Sequence, residues 1–184
     1  MGYILLLYFR KGTKMSFNRN IMKFMEIQTG ENNSILRTKS VNIGKIDTVL
    51  KKFARDMKKT MISKDGLGFA APQVGENIRM IIVTMNYGTS NASVVTMINP
   101  EILSHGDEVA VAEEGCLSLP GRYANVERFK EVTVEFTDLD GEKHTLKLEN
   151  LDARVVQHET DHLDGVLFID RVREADKKKS VVVM

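Results

Sequence analysis

Gln157-His158-Glu159-Thr160-Asp161-His162 is the stretch on which the reading of this chain turns. Two histidines four apart lie on one face of a helix, about one turn from each other. Both imidazoles can then reach one metal ion, and the glutamate beside the first can reach a water on that ion. The surrounding residues supply the helix. Leu151, Val155, His158 and His162 follow the rhythm of a single helical face, Asn150 or Asp152 is placed to cap its start, and Gly165 to end it. The alternative for such a motif is a plain helix whose buried histidines bond to backbone or carboxylates. The motif also leaves a catalytic site short of ligands, because such a site takes three protein ligands and one open position.

The 184 residues suit one domain, and 42% hydrophobic with 28% charged residues is globular composition. The formal net charge of +1 is unevenly spread. Residues 1–24 carry Arg10, Lys11, Lys14, Arg19 and Lys23 without an acid, which leaves about −4 for the rest. An acidic body argues against a nucleic-acid groove. No apolar run approaches the 18 residues of a membrane span. Tyr3 to Phe9 is too short to cross and lacks a secretory cleavage site, so residues 1–24 read as an extension outside the fold. Organellar targeting by this basic segment is the alternative to a cytoplasmic protein.

Cys116 is the single cysteine, so no internal disulfide forms. A lone cysteine is an inert buried thiol, a nucleophile or a metal ligand. Beside the histidine pair it completes a sensible Cys-His-His set with one open position, although it lies 42 positions before His158.

Upstream, Ile46, Val49, Leu50, Phe53, Met57 and Met61 predict an amphipathic helix over residues 46–62. Asp65-Gly66-Leu67-Gly68-Phe69-Ala70-Ala71-Pro72-Gln73 is a tight loop or edge strand whose small residues allow close backbone approach. It lacks the Gly-Lys-Ser/Thr of a phosphate loop, and Ala71 stands where a dinucleotide fingerprint needs its third glycine. Strands are predicted at 79–84 and 94–99, the latter closed by Pro100, with a short one at 108–112. Cys116 precedes a Pro120-Gly121 turn. Residues 132–137 and 143–148 alternate around Asp138-Leu139-Asp140-Gly141 and form the clearest hairpin. His105 and His144 read as surface histidines, 166–169 as a short apolar strand or packing segment, and the tail from Arg171 as solvated.

Three stretches in order, Gly66-x-Gly68-x-Ala70-Ala71-x-Gln73, Glu114-Gly115-Cys116-Leu117-Ser118 and Gln157-His158-Glu159-x-x-His162, resemble the motifs of peptide deformylases. The similarity spans residues 25–172 as a catalytic domain and leaves 1–24 and a charged tail, 173–184, outside it. The fold it implies is α+β, with mixed and antiparallel strands packed around a central helix carrying H-E-x-x-H. It implies one divalent metal on Cys116, His158 and His162, natively Fe(II), with Zn(II), Ni(II) or Co(II) able to replace it. Glu159 would be the general base and acid, and Gln73 with the Leu117 backbone N–H the oxyanion donors. Gly68, Gly115 and Glu114 are expected on the substrate side, with Arg128 paired to Glu114. The implied reaction removes formate from the formylmethionine of nascent peptides, by a monomer working beside the ribosome without membrane or nucleic-acid contact.

Two rival functions meet obstacles at single positions. A zinc peptidase with the extended motif needs a histidine where Phe168 stands. A closed structural metal site needs a fourth protein ligand, and none is evident.

Overall fold

The computed structural model describes residues 24–172. Apart from Phe24, the N-terminal extension and the charged tail lie outside the described residues, as do the expectations placed on them. Helix α1 spans Thr48–Ser63, followed by strands β1 (Gly68–Ala70), β2 (Met80–Met85), β3 (Ser93–His105), β4 (Val109–Cys116), β5 (Leu119–Phe129), β6 (Glu131–Thr137) and β7 (Lys143–Glu149). Helix α2 follows at Asn150–Leu163, and single 3-10 turns sit at Ala71–Val74 and Phe168–Arg171. The strands form a five-stranded sheet, ordered β1-β2-β3-β6-β7, and a separate β4-β5 pair. Every strand pairing is antiparallel. This is the expected α+β architecture.

The large sheet is covered on both faces. Ile81, Val83, Met97, Val132 and Val134 pack against Ala153, Val155 and Val156 of α2. Met80, Ile82 and Ile98 point the other way, towards Met57 and Met61 of α1. Alternation of side chains along β2 sends neighbours to opposite cores, which is why Met80-Ile81-Ile82-Val83 is apolar without a break. The β4-β5 hairpin rests on a third cluster, where Cys116, Leu119 and Val126 meet Leu36, Leu167 and Phe168. Helix α2 is buried all round from Ala153 to Leu163. No helix among the described residues is long and apolar enough to cross a membrane.

The 132–148 hairpin forms as expected, with Thr137 opposite Lys143. Other local expectations are corrected. Val49 is 73% exposed, because the first turn of α1 meets the core through Leu50 and turns Val49 outward. The Asp47 carboxylate caps this helix, accepting from the N–H groups of Val49 and Leu50 at 3.0 Å. Neither Asn150 nor Asp152 caps α2: the Asp152 carboxylate accepts from the Asn86 N–H, and Asn150 takes a positive φ of 53° while its own N–H reaches the Lys130 carbonyl. Pro100 does not end β3, which bends through it where the register with β6 breaks between Ile98 and Glu101. Pro120-Gly121 is strand rather than turn, since β5 begins at Leu119. Residues 166–169 give packing and a 3-10 turn, not a strand. His105 is at the surface as expected, at the end of β3 with its ring stacked on Phe129, whereas Arg171 is bound by Asp161 rather than free in solvent.

Gly165 does end α2. Its φ is +73°, its N–H reaches the His162 carbonyl, and the Val166 N–H reaches that of Asp161. A Cβ there would lie 2.6 Å from the Arg37 carbonyl oxygen. Gly165→Ala should therefore cost about 2 kcal/mol of folding stability or more, from left-handed strain plus displacement of the 35–38 segment. Urea unfolding checks this, and an unchanged midpoint would overturn it.

Candidate metal centre

Three separate pieces of chain meet at the H-E-x-x-H face of α2. The helix contributes His158, Glu159 and His162, all buried. The β4-β5 hairpin contributes Cys116, where Gly115 pairs with Tyr123 but Cys116 pairs with Leu119. That register shift closes the hairpin tightly at Leu117-Ser118. The 3-10 turn after β1 contributes Gln73. One ligand atom from each of Cys116, His158 and His162 lies within 4.8 Å of the others.

The Cys116 sulfur stands 3.2 Å from His162 Nε2. Gln73 Nε2 and the Ser118 N–H both donate to this sulfur, each at 3.4 Å, as they would to a thiolate ligand. His158 Nδ1 bonds to Glu114 Oε2 at 2.8 Å, which leaves Nε2 for the site. His162 Nδ1 and Glu159 Oε2 are buried without a partner among the described residues. A buried thiol and two imidazoles, one of them oriented by a carboxylate, fit a divalent metal ion.

The two site glutamates sit in opposite environments. Burial would raise Glu114, but the His158 hydrogen bond and charge, and then Arg128, hold it well below the usual carboxylate range. Burial pushes Glu159 up to about 7, only partly opposed by the His158 charge. Burial would lower His158, but hydrogen bonds to Cys116 and Glu114 raise it well above its ordinary value. Burial, followed by the charges of His158 and Arg128, takes His162 well below.

Other expected residues fall as follows. Gln73 Oε1 accepts from the Ala70 N–H at 2.8 Å, which fixes the amide and turns its NH2 group to Cys116 and Ser118. The Leu117 side chain joins the core under α1, so only its backbone is available for chemistry. Gly68 lies so close against Glu159 that a Cβ on it would stand only 2.3 Å from Oε1, and Gly115 lies under the Tyr123 ring. Glu114 is not on a substrate surface. It is fully buried, and its oxygens are taken by Arg128, Arg154 and His158. Its pairing with Arg128 is as expected, at 3.0 Å through both Nε and Nη2.

Sequence reasoning missed Arg154, Asp161 and Arg171. Arg154 donates to Glu114, and Asp161 accepts from Arg128 and Arg171. One signal was available: Arg154 lies four residues before His158, on the face that must be buried. A cavity of about 430 Å³ lies on the other face of α2, lined in part by Arg79, Phe129, Gln157 and Thr160, and includes none of the candidate ligands.

The family described as polypeptide deformylase matches residues 24–178. The chain belongs to the peptide deformylase family. A peptide deformylase of Prochlorococcus marinus strain MIT 9312 is 38% identical over 178 residues, covering 92% of this chain and 89% of the relative. The crystal structure of the Thermotoga maritima peptide deformylase has a TM-score of 0.77 at 40% identity, over 82% of this chain and 99% of that one. The class I type b peptide deformylase of Acinetobacter baumannii, solved with Met-Ala-Ser bound, has a TM-score of 0.76 at 35% identity, over 83% and 100%. The chain is a hydrolase, as the deformylases are, and the family's metal dependence agrees with the Cys-His-His cluster.

Two outcomes follow from this geometry. Gly68→Ala should displace Glu159 and lower kcat/KM by about 100-fold or more, since a misplacement near 1 Å has that effect. Far-ultraviolet circular dichroism would show the fold retained, and wild-type kinetics would refute the contact. In the metal-free protein, Glu159 holds its proton more tightly folded than unfolded, so its contribution is complete below about pH 4.5 and is lost as pH rises through 7. His162, shifted down, slopes the opposite way, so the comparison is with Glu159→Gln. Wild type should lose about 3 kcal/mol relative to that variant across this window. A flat difference in unfolding free energy would contradict the burial of the acid.

Proposed function

We propose that this deformylase acts through Cys116, His158 and His162 as ligands of one divalent ion, with Glu159 as base and acid and Gln73 and Leu117 as oxyanion donors. The chain removes the formyl group from the N-terminal formylmethionine of newly synthesised proteins and releases formate. The observation that carries the assignment of roles is the convergence of three ligand atoms within 4.8 Å beside a buried carboxylate that has an unpartnered oxygen.

A bound ion would supply a Lewis acid and bring a water's pKa from about 15.7 towards 7. Fe(II) is our choice of native ion, with Zn(II), Ni(II) or Co(II) as working replacements. Glu159 takes a proton from the attacking water as its oxygen bonds the formyl carbon. The same carboxyl then gives the proton to the amine as the C–N bond breaks. Burial raises this carboxyl to about 7 in the metal-free protein, and a carboxyl in that range suits a group that takes and gives a proton at neutral pH. The Gln73 amide is held by the Ala70 N–H, so its NH2 group meets the developing oxyanion without reorganising.

The substrate backbone would add along β1, the edge strand of the large sheet, where Gly68 lets the strand lie close against Glu159. The Met-Ala-Ser peptide held by the Acinetobacter enzyme supports such a peptide-shaped site. A peptidase reading gains nothing from the structure, since Phe168 stacks beside His158 with ring centroids 6.1 Å apart and cannot ligate. We place the enzyme in the cytoplasm as a monomer, meeting nascent chains at the ribosome.

The test is formate release from a formyl-Met dipeptide by Fe(II)- or Ni(II)-loaded protein prepared without oxygen. No turnover by fully metallated protein would overturn the function. Glu159→Ala should keep its metal and lose about 10²–10⁴ in kcat. Gln73→Leu should lose about 10²–10³. Metal loss from Glu159→Ala would make that residue a ligand instead. The Fe(II) form should lose activity in air through oxidation of iron or sulfur, and persistence there would favour zinc or nickel.

A further inference from the structure

The proposed ligands come from two elements that do not adjoin in the chain. Cys116 ends β4, whereas His158 and His162 ride on α2. Something must hold the hairpin to the helix at the tolerance of a metal site. Arg154, on α2 one turn before His158, reaches across this gap. Its Nη1 donates to Glu114 Oε1 at 2.6 Å and to the Val126 carbonyl at 3.0 Å, and its Nη2 donates to the Ala110 carbonyl at 2.6 Å. One guanidinium therefore ties α2 to both strands of the hairpin and to the carboxylate that orients His158. The side chain is only 7% exposed.

Arg128 makes the converse link, from β5 to Glu114 and to Asp161 on α2. The two arginines are not redundant. Glu114 Oε1 accepts from Arg128 Nε and Arg154 Nη1, and Oε2 from Arg128 Nη2 and His158 Nδ1. Without Arg154, Oε1 keeps one of its two donors, and the Ala110 and Val126 carbonyls lose their link to the helix.

We infer that Arg154 is a positioning residue for the metal centre, acting through Glu114 on His158 and through the hairpin backbone on Cys116. The inference rests on those residues being the ligands.

Co(II), added without oxygen to wild type, Arg154→Met and Arg154→Lys, provides the test. The thiolate-to-cobalt absorption band reports Cys116 in the ligand set, and release of Co(II) to excess chelator reports how firmly it is held. Arg154→Met should release Co(II) about 10–100-fold faster and show a shifted band, the size of effect that outer-shell partners of ligands have. Arg154→Lys should fall between, since an ammonium can meet Glu114 but cannot span three acceptors. Release at the wild-type rate by a folded Arg154→Met protein overturns the inference. If that variant does not fold, release at the wild-type rate by Arg154→Lys overturns it. Absence of the thiolate band in wild type would instead sink the ligand assignment.

Discussion

The carboxylate of Glu114 is fully buried and accepts four hydrogen bonds, two from Arg128, one from Arg154 and one from His158. A charge taken out of water is tolerated only when it is paired and its lone pairs are met. That requirement brings β4, β5 and α2 to one point. It also turns the His158 ring so that Nε2 faces the site. Asp161 extends the same pairing outward to Arg171, at the far end of the described chain. The partners come from β5 and from α2, which makes this cluster a constraint on how the hairpin can dock against the helix.

Burial separates the work of two residues of the same type. Glu114 is ringed by cations and stays ionised, so it can only accept and orient. Glu159 has an oxygen without a partner and is raised to about 7, so it can both take and give a proton. Pushing two carboxyls apart in this way gives one site a fixed anchor and, under the proposed mechanism, a proton carrier at the same pH. Space is divided as sharply. Helix α2, buried from Ala153 to Leu163, carries the candidate groups, while the edge strand β1 approaches Glu159 so closely at Gly68 that no side chain fits between them.

Much of the local structure was legible in the chain. The 132–148 hairpin, the stop at Gly165 and the core stripe of α1 through Met57 and Met61 all rest on short-range rules of period and turn chemistry. Failures came where distant contacts overruled those rules. Val49 fits the apolar stripe of α1, but the core meets the first turn of that helix through Leu50 and leaves Val49 exposed. Pro100 reads as a strand end, yet a register break lets β3 carry it. Asp152 reads as a cap, but Asn86 takes its carboxylate. Pro120-Gly121 reads as a turn, whereas the hairpin closes earlier, at Leu117-Ser118, and β5 went unread.

The site divides along the same line. The sequence by itself determined which candidate groups share the helix: two histidines and the glutamate between them, on one side because helical geometry is set within four residues. It also offered Cys116 and Gln73 as residues with the right atoms. Only the tertiary structure brought Cys116 to His162 across 46 positions, withdrew Glu114 from the substrate and bound it to His158, and disclosed Arg154 as the tie between hairpin and helix. The physical reason is that a buried ion must find its counter-charges wherever the packed elements present them, and sequence spacing carries no record of which elements will touch.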